Sequence, residues 1–416
     1  MQFVTDIKPE DYENFVSHHP TKSHFMQSFY WGEICKNKNF IPHYVGLIDN
    51  NGIVAAALIL EKDGKGSFTF FYIPRGFVLD FNNHELIKTF TAHIKNFAKK
   101  RKAFFIRIDP DIKLQNLDND GKIINEENNY GLVDFLISLG YKHRGFNKNF
   151  EHNQPRYTFR LDLTPTIEEI NSNFHLTTRK IISKGNPYQI DIYKGGNDQD
   201  FDSFYKTMME TASREKIHFL PLDYYKKFYH VFHEHGMSDL YLAKVNIKNL
   251  ITIYTDKIIE VNKEIMELEY AKNRNKEKTE HLKGELINQR NKLVIELDNI
   301  KQIKEEELVL SSIITVKYDD KVWTVHGGNL SILRELNTNY LLYYHILRDA
   351  KQDGYKKIDF FGTTGNPDNN NSVYGIHLFK KRFGGELMEF IGEFDLVTNK
   401  LLYFIYTTIL PRIKKK

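Results

Sequence analysis

The sequence predicts a mixed α/β (α+β) protein made of two units of like order, with a helical arm inserted into the second unit. Strand-like runs alternate with amphipathic helices over residues 1–150, and a similar order repeats over residues 151–379. Between two strands of that second stretch lies a charged, proline-free segment with helical spacing, residues 256–307. A chain of 416 residues is long for one domain and sufficient for two units and the arm.

The first unit is predicted to span residues 1–150. Its strand-like runs are His43–Ile48, Val54–Leu60, Phe68–Ile73 and Phe104–Ile108. The helix predicted over Glu85–Lys100 has one apolar face, and a second helix, Leu132–Leu139, ends at Gly140, a favourable residue after a helix. A strand in Tyr141–Phe146 follows.

The second unit is predicted to comprise residues 151–245 and 308–379. Its first segment holds a strand and three helices, at Tyr157–Leu163, Asn171–Ser183, Asp198–Arg214 and Asp223–Gly236. Its second segment holds a hairpin, a helix and a strand, at Leu308–Tyr318, Val322–Val325, Thr338–Ala350 and Lys357–Phe361. Residues 380–416 supply a strand, Leu387–Phe394, and a helix that ends near Pro411, and they could complete either unit.

Residues 246–307 are predicted to form an antiparallel coiled-coil arm. Two apolar stripes recur at alternating three- and four-residue steps, which place each stripe on one helix face. The first stripe is Ile258, Val261, Ile265 and Leu268; the second is Leu286, Leu293, Leu297 and Ile300, with Leu282 leading in. The polar segment Asn273–Lys278 between them suits a turn. The arm leaves from the strand-like run Leu240–Val245 and returns into Leu308–Val316.

Composition narrows the class of protein. The single cysteine, Cys35, excludes an intramolecular disulfide and favours a reducing compartment. We expect a cytoplasmic protein, because the first residues become acidic before any apolar run and no window of 18 apolar residues occurs. Clusters of lysine and arginine suit a phosphate-rich partner, although solvated faces give similar clusters.

The common cofactor and metal motifs are missing, so we expect no cofactor and no metal site. Five polar patterns instead stand at the ends of predicted elements, where side chains can face a cleft. They are Tyr72–Gly76, Arg107–Asp111, Gln154–Arg156, Phe360–Asn366 and Phe379–Gly385. Each alone is more often an ordinary turn than a site, but the five together, all at element ends, favour a cleft.

These patterns resemble the Fem (FemABX) family of peptidoglycan interpeptide-bridge aminoacyltransferases. The similarity covers essentially the whole chain and includes the run Tyr72–Asp80, the arm and Ile391–Phe394. It implies two tandem GNAT-like acyltransferase units and a helical arm like that of seryl-tRNA synthetase. It also implies transfer of glycine, alanine or serine from aminoacyl-tRNA to the stem-peptide side-chain amine of a cell-wall precursor, and the run Arg75–Val78 looks most like members that add the first bridge residue to lipid II.

The resemblance assigns roles to two candidate catalytic residues, Asp109 and Lys380, which we expect to lie in one shared crevice. Lys380 matches a lysine that stabilises the oxyanion or holds the end of the tRNA. Asp109 matches an acid near the acceptor amine that could serve as a base, and capping the turn before Pro110 is its alternative role. An aminoacyl ester is already activated, so neither ATP nor a metal is needed. The attacking amine, with a reference pKa of about 10.4, must lose its proton in the site.

The implied substrate-binding residues come from several parts of the chain: Lys36, Arg75, Phe104, Arg156, Tyr224, His326 and Phe379. Leu220 and Glu33 stand where some members have a phosphate-holding arginine and a lysine, which fits an acceptor carried on lipid, such as lipid II, better than the soluble UDP-MurNAc-pentapeptide. The residues implied for tRNA binding are Arg179, Lys180, Lys381 and Arg382. A homologous partner or a second copy is a further expected partner.

The last helix, Leu401–Leu410, is apolar and is followed by a basic tail that ends in Lys414, Lys415 and Lys416. This combination suits peripheral contact with the inner face of the cell membrane. A packed terminal helix with a solvated tail is the alternative.

Two other functions remain open from sequence. An acyl-CoA-dependent N-acyltransferase of GNAT fold would need a glycine-rich pyrophosphate loop, which we do not find. A non-catalytic tRNA-binding coiled-coil protein would need no cleft residues. An assay of amino-acid transfer from charged tRNA distinguishes the aminoacyltransferase from these two alternatives.

Overall fold

The computed structural model describes residues 1–20, 23–36, 38–63, 68–150, 153–215, 219–270, 276–366, 368, 371 and 373–413. The strands of this part of the chain are β1 (Gln2–Val4), β2 (Phe40–Asp49), β3 (Gly52–Asp63), β4 (Thr69–Ile73), β5 (Ala103–Ile108), β6 (Lys113–Leu117), β7 (Ile123–Asn128), β8 (Tyr141–His143), β9 (Tyr157–Asp162), β10 (Asp191–Gly195), β11 (Ser238–Asn246), β12 (Glu307–Tyr318), β13 (Lys321–Asn329), β14 (Lys357–Thr363), β15 (Glu386–Phe390) and β16 (Phe394–Val397).

The α-helices are α1 (Pro9–Ser17), α2 (Phe29–Lys36), α3 (His84–Lys100), α4 (Tyr130–Ser138), α5 (Ile167–Ser172), α6 (Leu176–Ser183), α7 (Asp198–Glu215), α8 (Leu222–His233), α9 (Ile247–Tyr270), α10 (Lys276–Lys301), α11 (Thr338–Gln352), α12 (Tyr374–Lys381), α13 (Lys400–Phe404) and α14 (Leu410–Ile413). Short 3₁₀ turns occupy Phe25–Gln27 and Arg334–Leu336, and a π-helical turn, Ile405–Ile409, joins α13 to α14.

The strands form two sheets. The first has the order β1-β2-β3-β4-β5-β16-β8, and the second has the order β10-β11-β12-β13-β14-β9-β15-β6-β7. Only β4–β5 and β13–β14 are parallel among the described pairs. In each sheet a helix, α3 or α11, lies in the chain between the two parallel strands, as parallel neighbours require. The mixed α/β class predicted from sequence is therefore confirmed.

The two sheets exchange strands from distant parts of the chain. β6 and β7 come from the range predicted for the first unit but pair into the second sheet, while β16 from the C-terminal region pairs with β5 and β8 in the first. The single strand predicted over Leu387–Phe394 is thus wrong, because β15 and β16 belong to different sheets. Gly392, at φ +100°, turns the chain between them, and a Cβ there would lie 2.9 Å from His143 Nε2.

The long helix predicted over Asn171–Ser183 is also divided. Phe174 is buried between α5 and α6, and the His175 backbone N–H donates 3.0 Å to the Arg382 carbonyl instead of continuing the helix. The turn places the start of α6 beside the end of α12.

The apolar core joins the two sheets. One buried cluster contains Tyr12 and Leu58 from the first part of the chain together with Phe228 and Trp323 from the second. Burial of such large side chains contributes about 1.5–3 kcal/mol each. The two sheets are held against each other by this shared cluster.

The helices α9 and α10 are consistent with the predicted arm. They follow β11 and precede β12, and α9 alone, with 24 residues, is about 36 Å long. Val261, Ile265, Leu268 and Leu286 form a separate buried cluster, and Lys283 pairs with Glu269 across the helices at 2.7 Å. Leu282, predicted to lead into the second stripe, is exposed instead. Of the predicted turn, Asn273–Lys278, residues 273–275 lie outside the described residues, and residues 276–278 belong to α10 instead of a turn.

No helix within the described ranges combines the length and the apolarity that crossing a bilayer requires.

The arm has its own small core, so it can be loosened without unfolding the sheets. We expect Ile265→Ala to destabilise the arm by about 2 kcal/mol, because Ile265 is 8% exposed within its cluster. Hydrogen exchange of α9 and α10 amides should accelerate while that of β12 and β13 stays unchanged. Ile259→Ala, at a residue that is 61% exposed, is the matched control. Equal effects of the two variants would contradict an apolar seam between the helices.

Candidate active site

Asp109 follows the last residue of β5 and is 5% exposed. Its two carboxylate oxygens are both bound: the Tyr72 hydroxyl donates to Oδ2 at 2.7 Å, and the Arg75 backbone N–H donates to Oδ1 at 2.7 Å. Burial raises the pKa of Asp109 to about 6, although the positive charge of Arg75 opposes the shift. A carboxylate with this pKa is charged at neutral pH and is a stronger base than an exposed aspartate.

Arg75 links Asp109 to the second half of the chain. Its backbone is left-handed, at φ 53°, which directs the N–H toward Asp109. Its side-chain Nη2 donates 2.7 Å to the Pro155 carbonyl, and its guanidinium lies 4.5 Å from the centre of the Phe390 ring. Arg75, Asp109, Pro155 and Arg156 line one small cavity.

The guanidinium of Arg156 binds two groups of the protein itself, the Glu389 carboxylate and the Phe390 carbonyl. Nη2 pairs with Glu389 Oε1 at 2.5 Å, and Nε donates 3.0 Å to the Phe390 carbonyl. The side chain is buried, so the contacts fix β15 against β9. Arg156 therefore shapes the cavity, and its charge is already neutralised by Glu389.

Lys380 lies in the last turn of α12 and is 8% exposed. Its Nζ donates to two successive carbonyl oxygens, those of Phe361 at 3.1 Å and Gly362 at 2.6 Å. Burial lowers the pKa of Lys380 to about 7, although the negative charge of Asp359 opposes the shift. Charged and neutral amine are therefore present in comparable amounts near neutrality, which suits either oxyanion stabilisation or proton transfer.

Lys380 lines a cavity of about 710 Å³, which is large enough for a small-molecule or chain-end ligand. Two further predicted residues, Phe379 and Arg382, line the same cavity. Arg334 adds positive charge to its wall, whereas Arg214 is paired there with Glu215 at 3.0 Å. Asn337 and Asn339 add amide groups. The cavity is therefore suited to a ligand with negative or hydrogen-bonding groups.

Asp359 is a residue at this site that sequence reasoning missed. Its Oδ1 accepts from the Phe361 backbone N–H at 2.8 Å and from the Thr158 hydroxyl at 2.5 Å, while Arg160 Nε donates to Oδ2 at 2.6 Å. Phe361 has a left-handed backbone, at φ 58°, and its carbonyl accepts from Lys380. Asp359 therefore holds the turn that receives the lysine amine. An acid two residues before the Phe361-Gly362 turn is the signal that could have revealed it.

The expectation that Asp109 and Lys380 lie in one crevice is wrong. They line two cavities that share Pro155. Pro155 is bound by Arg75 on one side, and a Cβ at Gly362 would lie 2.3 Å from its ring on the other. The reason is topological: Asp109 follows a strand of the first sheet, whereas Lys380 packs on β14 of the second.

Tyr224 and His326 lie together in a third region, between α8 and β13. Their ring centres are 6.1 Å apart, and burial lowers the pKa of His326 to about 3, so this histidine is neutral. Lys38, which sequence reasoning missed, places Nζ 3.9 Å from the centre of the Tyr224 ring. The predicted Lys36 is instead exposed and pairs with Glu33 at 2.6 Å.

Phe104 is not brought to any of these three regions. It is buried at the start of β5 among Phe70, Phe105 and Tyr406, whose ring centre lies 5.3 Å away. Residues 103–105 pair with the end of β16 and the residues after it, which places Phe104 beside the C-terminal helix.

The predicted tRNA-binding residues divide into two groups. Arg179 and Lys180 are exposed on α6. They directly follow Thr178, whose hydroxyl donates 3.0 Å to the Arg382 carbonyl. Lys381 is engaged with Asp120, and Arg382 Nη1 donates 2.8 Å to the Tyr340 hydroxyl. Arg179 and Lys180 thus remain the accessible pair.

Within the described ranges, no three histidine, cysteine, aspartate or glutamate side chains are placed to bind a metal ion.

A two-sheet α/β fold that presents a buried lysine amine on the wall of a large cavity suits an acyltransferase. The sequence matches the model of the FemAB family over residues 7–410, so the chain belongs to the FemAB family. It is 26% identical to a lipid II:glycine glycyltransferase of Staphylococcus epidermidis over 416 residues, covering 99% of this chain and 96% of the relative. It is 27% identical to the enzyme of the same name from Staphylococcus aureus strain USA300, covering 98% and 96%. The crystal structure of FemX superposes with a TM-score of 0.76 at 24% identity, covering 97% of this chain and 99% of FemX, which shows that the fold is shared.

The negative charge of Asp359 should control the protonation of Lys380. We expect Asp359→Asn to lower the pKa of Lys380 below about 7, because the variant removes the charge that stabilises the ammonium form. At pH 7 the charged fraction of Lys380 should therefore fall. The check is an NMR titration of lysine side chains in the folded variant, with Lys380→Met to assign the signal. Asp353→Asn, at an exposed residue after α11, is the matched control. A rise in the Lys380 pKa in Asp359→Asn would contradict the electrostatic role of Asp359.

Proposed function

We propose that this protein transfers an amino acid, glycine, alanine or serine, from aminoacyl-tRNA to the stem-peptide side-chain amine of a peptidoglycan precursor, and so builds the interpeptide bridge. The observation that carries the proposal is the Lys380 amine, held by two carbonyls on the wall of a cationic cavity of about 710 Å³. Membership of the FemAB family and relatives named lipid II:glycine glycyltransferases support it.

The donor is assigned to the Lys380 cavity. The aminoacylated 3′ end of a tRNA is an unpaired, anionic chain end, and the cavity wall carries Arg214, Arg334 and Arg382. The exposed pair Arg179 and Lys180 lies next to the Arg382 turn, where it would contact the tRNA backbone. In its charged form, Lys380 would stabilise the oxyanion that forms when the ester carbonyl is attacked.

The acceptor amine is assigned to the side of Asp109. An ammonium group arriving there would transfer a proton to the carboxylate, and the free amine would attack the ester carbonyl carbon. The tetrahedral intermediate would then expel the ribose oxygen of the tRNA, which takes up a proton. Since the two cavities share Pro155, the amine on the Asp109 side would reach the ester carbonyl on the Lys380 side only when Pro155 moves out of the wall between them.

The acceptor is assigned to lipid II, in keeping with the names of the relatives. Tyr224 and Lys38, whose Nζ lies 3.9 Å from the centre of the Tyr224 ring, are assigned to the phosphate end of such a precursor. The protein would then act in the cytoplasm at the inner face of the cell membrane. The basic tail Lys414–Lys416 lies outside the described residues.

Replacing the Lys380 amine tests the proposal directly. We expect Lys380→Met to lower transfer from charged tRNA to lipid II by about 10²–10³-fold, because the oxyanion loses its donor. Circular dichroism and thermal unfolding should show an intact fold. Lys357→Met, at an exposed residue of β14, is the control. Near-normal turnover in Lys380→Met would remove Lys380 from the mechanism. Turnover with acetyl-CoA in place of charged tRNA would favour the N-acyltransferase alternative.

Salt should weaken tRNA binding steeply, because contacts with phosphates release counterions. In the double variant Arg179→Gln, Lys180→Gln, the plot of log affinity against log salt should become shallower by about 1–2. Filter binding over a salt series measures the slope. The double variant Lys356→Gln, Lys357→Gln, also at exposed residues, should keep the original slope. Salt-independent binding would argue against recognition of the tRNA backbone.

A further inference from the structure

Strand register brings five segments to one end of the first sheet. β2 begins where β3 ends, since Ile41 pairs with Glu61, and Asp63 at the end of β3 pairs with Thr69 at the start of β4. Thr69 in turn pairs with Ala103 at the start of β5. The backbone N–H groups of Thr398 and Asn399 both donate 3.1 Å to the Phe104 carbonyl, so the residues after β16 reach the same end.

This end of the sheet exposes four large apolar side chains. Ile41 is 54% exposed, Phe68 39%, Leu401 70% and Phe404 53%. The opposite side of the C-terminal helix is packed, because the rings of Tyr403 and Tyr406 lie 5.5 and 5.7 Å from that of Phe105. Packing of the two tyrosines therefore fixes Leu401 and Phe404 toward solvent.

The same end carries positive charge that is not neutralised by its surroundings. Lys99, Lys100, Lys102 and Lys400 are exposed and make no ion pair with a described residue. The carboxylate of Glu61, which register brings here, is buried and already bound by Arg101 and His43, each at 2.6 Å. An anionic partner is therefore the one that complements the surface.

We propose that this end of the first sheet, together with α13, docks on an anionic lipid bilayer. We call it the docking surface and define it by Ile41, Phe68, Lys99–Lys102 and Lys400–Phe404. Peripheral membrane binding combines apolar side chains that enter the headgroup boundary with cations that attract anionic lipid. Two of the four exposed apolar side chains, Ile41 and Leu401, are aliphatic and cannot stack on bases, which favours a bilayer over an RNA partner. The inference rests on the proposed function, because an acceptor carried on lipid requires an enzyme at the membrane.

The test is sedimentation of the full chain with vesicles, without tRNA or substrate. Binding should be strong to vesicles rich in phosphatidylglycerol and weak to pure phosphatidylcholine. The double variant Leu401→Ser, Phe404→Ser should bind the anionic vesicles about tenfold more weakly or worse. The matched control is Ile259→Ser, Met266→Ser on the arm, where both residues are also more than half exposed, at 61% and 51%. Equal behaviour of the two double variants would overturn the proposal.

The charge contribution is tested by the triple variant in which Lys99, Lys100 and Lys102 become Gln. It should also weaken binding to anionic vesicles by about tenfold or more, since each cation near the membrane surface adds to the attraction. The control replaces the exposed arm residues Lys263, Lys292 and Lys301 in the same way. Loss of tRNA binding without loss of vesicle binding in the triple variant would identify the surface as an RNA site and overturn the proposal.

A transfer assay separates this inference from the proposed function. With lipid II dissolved in detergent, the docking variants should retain transfer, and with lipid II in vesicles they should lose most of it. Transfer that is equally unaffected in both formats would overturn the docking surface while the function stands. Vesicle binding that follows the variants as described, without transfer in either format, would overturn the function while the surface stands.

Discussion

A buried ionic bridge between the two sheets determines where both candidate catalytic groups lie. The guanidinium of Arg160, on β9, binds Asp111 through two contacts of 2.7 Å and Asp359 through one of 2.6 Å. Asp111 is two residues after Asp109, and Asp359 is two residues before Phe361, whose carbonyl receives Lys380. One arginine therefore ties the turn at Asp109 to the turn at Lys380, and a shift in either acid would move a reactive side chain.

The bridge is stable because its charges are balanced within the protein. Removing a carboxylate or guanidinium from water costs several kcal/mol, and a buried pair recovers this only when each group is fully hydrogen-bonded. Asp359 meets this condition because it accepts hydrogen bonds from Thr158, Arg160 and the Phe361 N–H. The Arg160 guanidinium beside Asp111 holds the pKa of that carboxyl well below its usual range. Lys321, also buried there, has its pKa lowered to about 8 by burial. Two carboxylates, of Asp111 and Asp359, and two basic side chains, of Arg160 and Lys321, thus share one buried site between the sheets.

Much of the fold could be predicted from local pattern, and the rest depends on contacts between distant residues. Three- and four-residue spacing identified the seam of the arm, and the ends of strands identified Asp109 and Arg75. Local pattern could not divide Leu387–Phe394 between two sheets, because the pairing of β15 with β6 joins residues more than 270 positions apart, as Gln115 and Glu389 show. It also missed Lys38 and Asp359, whose roles appear only when Tyr224 and Lys380 are brought beside them.

The docking surface and the Asp109 site lie at opposite ends of the first sheet. The docking surface lies where β4 and β5 begin, whereas Arg75 and Asp109 lie where these parallel strands end. Six residues of β5 span about 20 Å. Lys38 precedes β2 at the same end as the docking surface, so a phosphate held near Lys38 and Tyr224 would lie close to the bilayer. An acceptor suited to this arrangement must carry its amine about one strand length from its lipid-linked phosphate, and a stem peptide of a few extended residues spans such a distance.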